Sequence, residues 1–577
     1  MSKWMVYGKK ADFKGIAKEY NIDMVTARII RNRDIITKND FDMYLNGDLN
    51  SLHNPELLKD VKLASNILID KIKSGKKIRI IGDYDIDGIC SITILYKGLT
   101  RCGANVDYVV PHRIHDGYGI NERLIDEAYE DGIDTILTCD NGIAAINQIK
   151  HAKDKAMTVI VTDHHDIPFE MINDEKNYSL PNADAIVNPK QLDCNYPFDG
   201  ICGAVVAYKL IQVLYKLMGV SSSDSKLTAD TKDLEDFLEF AAIATVGDVM
   251  NLINENRVIV KYGLKHIAQT SNIGLRCLIN ACELDINNIN SYHIGFVVGP
   301  CLNASGRLES ANIAIKMLLS SNYDEANKLA IKLKELNDER KELTENEAKK
   351  AFELIDSTSL KDDKVLVVYL PDCHESIAGI IAGRIREKYY KPTICLTNGE
   401  DCIKGSGRSI EGYNMFEEIS KVKGLLTKFG GHPMAAGLSL SPDNIDAFRT
   451  ALNSYQSLSS EDLTPKTWID VPMPLDYVSF DLINEFSVLE PFGKGNEKPI
   501  FADRNLKVVS ARIIGKNRNV LKLQLQTING HIVDAIKFKA EENDIPELNS
   551  NINIIYYPDI NEYMGNRKIQ FIINEIG

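Results

Sequence analysis

Cysteine pairs spaced for metal or redox chemistry are missing from this sequence. Its 11 cysteines are scattered with no Cys-x-x-Cys, and an odd number cannot all pair within one chain. That excludes a clustered-thiolate zinc site and a disulfide framework. Cys90, Cys139 and Cys395 lie inside apolar runs, where a free cysteine behaves as a small hydrophobe, so a reducing cytoplasm is the expected setting. No apolar stretch approaches the roughly 18 residues a membrane span needs, and the opening Met-Ser-Lys-Trp-Met-Val-Tyr-Gly-Lys-Lys lacks the apolar core of a secretory signal. No membrane partner is expected. Gly-x-x-x-x-Gly-Lys-Ser/Thr is absent as well, which removes ATP hydrolysis from the candidate chemistries. Positive charge is in deficit: 67 Lys and Arg against 81 Asp and Glu leave a net charge of −14. Phosphate binding wants a positive surface, so a nucleic-acid partner requires a local basic groove on an acidic exterior.

What is present is ordinary globular material, 44% hydrophobic and 26% charged. At 577 residues the chain is too long for one core, and three or four domains are expected. Residues 1–52 carry short amphipathic patterns and read as an N-terminal appendage with no assignable chemistry. From Ile78 strands and helices alternate: Ile78–Ile81, Val106–Val110, Thr135–Cys139 and Thr158–Thr162 as strands, Ile89–Thr100, Glu122–Tyr129 and Ala144–Ala152 as helices. This alternation predicts a doubly wound α/β domain with a parallel sheet, over 53–320. Gly203–Met218 and Leu234–Ala244 read as buried helices, the second ending just before Asp248. An unbroken Lys/Glu-rich pattern over Tyr323–Ile355, free of Gly and Pro, predicts one long connecting helix within 321–360. A second α/β unit over 361–464 follows, with Lys404–Ser409 and Gly430–Gly437 expected as its loops. Residues 465–577 switch to β-rich runs (Val520–Gln526, Ile532–Phe538, Ile552–Tyr557, Ile569–Ile573), expected to form a small antiparallel barrel.

The chemistry collects at strand ends. Gly82-Asp83-Tyr84-Asp85-Ile86-Asp87-Gly88 follows one apolar run, Asp140-Asn141-Gly142 a second, and Asp163-His164-His165 a third. Ligands of open parallel sheets sit beyond the carboxyl ends of the strands, so one crevice would receive several carboxylates and two imidazoles. Carboxylates that close repel one another, and burying them unpaired is costly. Bound divalent metal resolves the conflict, and two ions are expected. Oxygen ligands with one or two imidazoles suit Mn²⁺ or Mg²⁺. Two cations activate water and stabilise a departing oxyanion, which phosphodiester hydrolysis requires. No Ser/His/Asp arrangement or nucleophilic-cysteine motif competes.

In this order Asp85-Ile86-Asp87-Gly88, Asp140-Asn141-Gly142 and Asp163-His164-His165 resemble the signature of the DHH phosphoesterase superfamily. Gly117-Tyr118-Gly119 after Pro111-His112-Arg113, Ala244–Asp248, Gly299-Pro300-Cys301-Leu302-Asn303-Ala304-Ser305-Gly306-Arg307-Leu308 and Gly430-Gly431-His432-Pro433-Met434-Ala435-Ala436-Gly437 narrow it. The chain resembles the RecJ family of exonucleases specific for single-stranded DNA from about residue 50 to its end. The resemblance implies a DHH domain, a DHH-associated α/β domain and a C-terminal OB-fold. It implies a 5′→3′ exonuclease that hydrolyses single-stranded DNA from a 5′-phosphate end in recombination and repair. Single-stranded DNA is the implied partner, with a helicase or single-strand-binding protein beside it.

By the same resemblance, Asp140 bridges the two ions, Asp85 serves one, and Asp87, His164 and Asp248 serve the other. Asp163 would fix the tautomer of a ligating imidazole, His165 would face the phosphate, and Asp83 would be an extra ligand or would position the attacking water. Arg113, Ser406 and Arg408 resemble the family's pocket for a 5′-terminal phosphate; arginine offers a planar fork for such oxygens. Asn303, Arg307 and His432, in the glycine-flanked motifs, are further substrate-binding candidates. RecJ-like chains carry arginine where this sequence has Cys301, which predicts one phosphate contact fewer. Two readings compete: a sister phosphoesterase of nano-RNA, cyclic dinucleotides or pyrophosphate, and a replication scaffold with a dead metal site. Chain length argues against the first and the filled ligand positions against the second.

Overall fold

The computed structural model describes residues 2–113, 116–172, 175–220, 235, 237–516, 518–563 and 565–577. The chain divides into two compact units, Gly47–Leu463 on one side and Met1–Asn46 with Thr464–Gly577 on the other.

In the larger unit, five parallel strands run in the order Asn105–Val109, Lys77–Ile81, Thr135–Cys139, Thr158–Thr162, Ala185–Val187. The sheet is doubly wound because its strands are apolar on both faces. Ile80, Leu137 and Ile160 enter one core with helices Ile86–Arg101 and Gly203–Met218. Their neighbours Ile81, Ile136, Val159 and Val161 enter the other, with Leu124, Ile125 and Ile149 of helices Glu122–Glu130 and Ile146–Asp154. Successive residues of a strand face opposite sides, so a strand covered twice must be apolar throughout. Taken along the chain the strand order is 2-1-3-4-5, and the crossovers change direction between Lys77–Ile81 and Thr135–Cys139. Such a switch point opens a crevice at the strand ends. The expected helix Leu234–Ala244 is found at Leu238–Gly247, and residue 234 lies outside the described residues.

Helix Tyr323–Ser357 runs for 35 residues and belongs to two cores. Ala326, Ala330 and Leu333 pack with the first sheet's helices; Ala348, Ala351 and Ile355 pack with Leu366, Val368 and Ile377 further along the chain. Both triplets have the three- and four-residue spacing of a single helix face. The second sheet has the order Leu426–His432, Ala435–Leu440, Ile403–Arg408, Thr393–Asn398, Leu366–Tyr369. Lys404–Ser409 and Gly430–Gly437, expected as loops, are largely strand: the first is a central strand and the second a hairpin turning at Pro433-Met434. Their glycines serve close packing. A Cβ at Gly405 would lie 2.6 Å from Leu438 Cδ1, and one at Gly431, whose φ is 154°, would lie 2.4 Å from the Ala435 carbonyl.

The smaller unit is built on a closed β-barrel. Phe501–Ile514, Val520–Gln526, Ile532–Phe538, Asn566–Ile576 and Asn551–Tyr563 pair in turn, and the last pairs back to the first. Residues 1–52, read from sequence as an appendage, are part of this unit as far as Asn46. Val25, Ile29, Ile30, Phe41 and Tyr44 enter the core formed by Leu506, Leu523, Tyr556 and Phe571. Strand Lys3–Val6 pairs in parallel with Lys466–Ile469, and Arg33 forms a buried ion pair with Asp470 at 2.7 Å. Among the described residues, no helix is long and apolar enough to cross a membrane.

Candidate active site

At the switch point, the segment after Lys77–Ile81 turns sharply into helix Ile86–Arg101. Gly88 makes the turn possible, since a Cβ there would meet the Asp83 backbone at 2.3 Å. Asp85 caps this helix, accepting from the N–H groups of Asp87 (3.0 Å) and Gly88 (3.2 Å). Asn303 Oδ1 accepts the Ile86 N–H at 2.8 Å and pins the turn from helix Gly299–Leu308. Asp87, 1% exposed, accepts from Gly203 N–H and Ala204 N–H, both at 2.7 Å, so the first turn of Gly203–Met218 holds its carboxylate.

Asp140 follows Thr135–Cys139 with φ of 59°, a left-handed conformation that aspartate tolerates better than most residues. Its N–H donates to Thr162 O, and its carbonyl accepts from Tyr118 Oη at 2.7 Å. Asp248 ends helix Leu238–Gly247, and Val249 after it has φ of 57°, an outlier for a β-branched residue. Strain of this kind clusters at functional sites.

The ligand atoms form three groups, each within 4.8 Å: Asp83, Asp85 and Asp140; Asp140, His164 and His165; Asp87, His164 and Asp248. Asp140 and His164 each belong to two of them. His164 Nε2 stands 3.1 Å from Asp140 Oδ1, 3.5 Å from Asp87 Oδ2 and 3.8 Å from Asp248 Oδ2. Burial and the charges of Asp87, Asp85 and Asp83 push the Asp140 carboxyl well above the usual carboxylate range. Burial and Asp85 do the same to Asp83, whose two oxygens have no hydrogen-bond partner among the described residues. Burial and Asp87 also raise Asp85. Repelling, half-orphaned carboxylates with a buried imidazole are a donor set that divalent cations fit.

The two histidines differ. Burial holds His164 below its ordinary pKa, in the neutral form that ligates metal. For His165 burial acts downward, but the bond to Asp163 (Nδ1 to Oδ1, 2.7 Å) outweighs it and raises the pKa to about 9. Asp163 also accepts the N–H groups of His164 (2.7 Å), His165 (3.1 Å) and Ile143 (2.9 Å). Burial would raise its carboxyl; the His165 bond and these donors bring it below the usual range. The ring Asp163 orients is therefore that of His165, and His164 Nδ1 has no partner among the described residues. Tyr118 Oη lies 3.1 Å from His165 Nε2.

Beside the carboxylates stands a group of arginines. The Arg113 guanidinium lies over the Tyr84 ring at 4.7 Å. Arg307 is pushed down to about 10 by burial and by the charges of Arg113, Arg340 and Arg408. Burial, Arg386 and Arg113 likewise lower Arg408. Arg307 Nη1 donates to Ser376 O at 2.8 Å, joining the two sheets' domains near this cluster. Ser406 Oγ and Arg408 Nη2 converge on Gly379, where a Cβ would stand 3.0 and 2.9 Å from them. One sequence candidate has its acceptor engaged elsewhere. Asn303 spends its oxygen on Ile86, whereas His432 is an exposed strand end whose charge acts on Asp166, the residue after His165. Cys301 is fully buried, 3.7 Å from Cys282 Sγ and accepting from Asn337, so this position presents no side chain to phosphate. Gly203 and Ala204 carry no signal in the sequence, and Tyr118 stands there only within the Gly117-Tyr118-Gly119 motif, without a role of its own. The first two act through backbone N–H groups, which leave no side-chain signal beyond the start of a helix.

Comparison with known proteins agrees with this layout. The models for the DHH family N-terminal domain, the DHHA1 domain and the RecJ OB domain match residues 77–245, 362–457 and 469–575. The single-stranded-DNA-specific exonuclease RecJ of Bacillus subtilis is 32% identical over 581 residues, covering 99% of this chain and 70% of that protein. Its namesake from Haemophilus influenzae is 31% identical over 95% of both chains. Among solved structures, RecJ in complex with Mn²⁺ from Thermus thermophilus superposes with a TM-score of 0.83 at 25% identity, covering 100% of this chain and 79% of that one. On these grounds the chain belongs to the RecJ family.

Proposed function

We propose that the protein is a metal-dependent exonuclease that hydrolyses single-stranded DNA from its 5′ end, in recombination and repair. The observation that carries this reading is the juxtaposition of three ligand groups sharing Asp140 and His164 with the cluster of Arg113, Arg307 and Arg408. The relatives named above are single-stranded-DNA-specific exonucleases.

Asp140 would bridge two ions, Mn²⁺ or Mg²⁺, with Asp83 and Asp85 on one side and Asp87, His164 and Asp248 on the other. Two such ions, when bound, supply an activated water and positive charge for the departing oxygen. The chain's own residues do the rest. The amides of Gly203 and Ala204 keep Asp87 aimed inward. Asp163 accepts a hydrogen bond from His165 Nδ1–H, and the raised pKa of His165 leaves Nε2–H to donate to a non-bridging phosphate oxygen or to the leaving oxygen. Arg113, Arg408 and Ser406 would grip the 5′-terminal phosphate; guanidiniums that repel one another while buried gain most from a dianion between them. The barrel would hold the trailing strand by backbone charge and base stacking. Duplex opening would come from a helicase, with a single-strand-binding protein presenting the strand.

The test offers 5′-phosphorylated single-stranded DNA, RNA and dinucleotides in parallel with Mn²⁺ and with chelator. Stepwise loss of nucleotides from the 5′ end of DNA, abolished by chelation, is expected. Preference for dinucleotides, or cleavage in chelator, would overturn the reading.

A further inference from the structure

Two thiols 19 positions apart in the chain meet in the core: Cys282 Sγ and Cys301 Sγ stand 3.7 Å from each other. Cys282 follows helix Ile273–Ala281, and Cys301 lies in the first turn of helix Gly299–Leu308. A disulfide bond is about 2.05 Å long, so the sulfurs have roughly 1.7 Å to close, within reach of small side-chain rotations. Cys282 keeps 9% of its surface exposed and Cys301 none.

The surroundings single out this pair chemically. Helix Tyr323–Ser357 carries Lys334, Asn337 and Lys341 at the three- and four-residue spacing of one face. Asn337 Nδ2 donates to Cys301 Sγ at 3.3 Å. The hydrogen bond with Cys301 lowers the Cys282 thiol; burial and Asp338 oppose it, and Lys334 and Lys341 reinforce it. A positive setting favours the thiolate, which is the reactive form. Near the carboxylates the opposite holds: burial and Asp87 push Cys90, Cys139 and Cys202 well up and leave them inert.

The thiols also adjoin the candidate site. Asn337 Oδ1 accepts from Arg340 Nε at 3.1 Å and from Nη2 at 2.9 Å, and Arg340 is one of the charges acting on Arg307. Two residues after Cys301, Asn303 holds the Ile86 N–H beside Asp85. Drawing Cys301 towards Cys282 shifts the sulfur that Asn337 donates to, on the helix that carries Asn303 and Arg307.

We propose that Cys282 and Cys301 are a peroxide-sensitive pair, whose oxidation to a disulfide weakens strand binding at the arginine cluster. The effect on binding, though not the disulfide itself, rests on the function proposed above. The Cys282 thiolate attacks one oxygen of hydrogen peroxide, forming a sulfenic acid and releasing hydroxide. The Cys301 sulfur then attacks the sulfenic sulfur; the S–O bond breaks, the disulfide forms, and the two thiol protons leave in two waters. Two electrons pass from sulfur to peroxide.

The test treats the full chain with hydrogen peroxide, quenches with catalase, alkylates free thiols with N-ethylmaleimide and digests with a glutamyl endopeptidase. Cleavage after Glu283 separates the two cysteines, and fragmentation tells Cys282 from Cys277 on the same peptide. Mass spectrometry should find the Cys282 and Cys301 peptides joined with the loss of two hydrogens, and dithiothreitol should part them. Cys282→Ala and Cys301→Ala should give no such link. In the oxidised wild type the KM for 5′-phosphorylated single strands should rise about fivefold, the size of one lost hydrogen bond, and return on reduction. Peroxide should leave the KM of Cys282→Ala unchanged. Alkylated Cys282 and Cys301 after a treatment that links Cys373 to Cys395, or a sulfinic acid at Cys282 with no link, would overturn the pair. A link that leaves KM unchanged would overturn its effect on binding. If the untreated protein releases no nucleotides with Mn²⁺, the proposed function fails, while the mapped link still decides the disulfide.

Discussion

Gly203 packs against Asp140 with no space for a side chain: a Cβ at position 203 would stand 2.8 Å from Asp140 Cβ and 3.0 Å from its Oδ1. The same residue donates its N–H to Asp87 at 2.7 Å. One glycine therefore sets two candidate ligands at once. Gly203→Ala should push Asp140 off its position at a cost of about 1–3 kcal/mol. Turnover should fall at least tenfold and the Mn²⁺ concentration for half-maximal activity should rise, with far-ultraviolet circular dichroism unchanged. Wild-type metal dependence in a folded Gly203→Ala protein would show that the contact does not position the ligands.

Phosphate recognition at the 5′ end is separable from the metal chemistry. Arg113→Ala and Arg408→Ala should each reduce the preference for 5′-phosphorylated over 5′-hydroxyl strands. The loss should appear mostly in KM, because a charge-assisted hydrogen bond to phosphate contributes about 1.5–3 kcal/mol. An unchanged preference in both variants would locate the pocket elsewhere.

Truncation should expose the pairing of the chain's two ends. Removing 464–577 alone strands Ile29, Ile30, Phe41 and Tyr44 without the barrel core they enter. That protein should aggregate in size-exclusion chromatography, while removal of both 1–46 and 464–577 should leave a monodisperse unit. The double truncation should still cut very short oligonucleotides and bind long strands more weakly, with a shallower salt dependence. Equal loss on both lengths would assign the barrel a structural role.

The same pairing carries a pH signature. Glu575 accepts from Trp4 Nε1 at 2.8 Å, from Thr467 at 2.6 Å and from Ser2. Burial would raise its carboxyl, but these bonds leave it below the usual range. A depressed folded pKa stabilises the docked strand above the unfolded value, about 4.3, and that stability is lost as pH falls through the folded pKa. Tryptophan emission should therefore shift on acidification below about pH 4.3, and Glu575→Gln should abolish that transition. An identical acid transition in Glu575→Gln would assign it to another group.

Where the candidate site is built from side chains at strand ends, it was legible in the sequence. Asp83, Asp85, Asp87, Asp140, Asp163, His164 and His165 follow apolar runs, and the sheet brings them together at its switch point. Helix Tyr323–Ser357 was legible because it has no Gly or Pro and keeps one apolar spacing. Backbone work was hidden: the N–H groups of Gly203 and Ala204 hold Asp87, and nothing in an apolar run announces it. Glycine misled at Ile403–Arg408 and Leu426–Leu440, where it serves close strand packing rather than turns. Strand Phe501–Ile514 was missed because its alternation breaks at Asp503–Asn505, where Asn505 has φ of 58° and the register shifts. The partnership of Lys3–Val6 with Lys466–Ile469 joins opposite ends of the chain, and local pattern carries no trace of it.

Metal stoichiometry read together with turnover bears most directly on the two-ion site. Mn²⁺ binding to the intact protein, measured by equilibrium dialysis, should reach two ions per chain, with cleavage of 5′-phosphorylated single strands rising as the second site fills. Asp140→Ala should lower both occupancies and cut turnover by several orders of magnitude, because one residue belongs to ligand groups on both sides. Full activity with one ion per chain, or more than about a tenth of wild-type turnover in Asp140→Ala at saturating Mn²⁺, would contradict a bridging Asp140 and the two-ion mechanism with it.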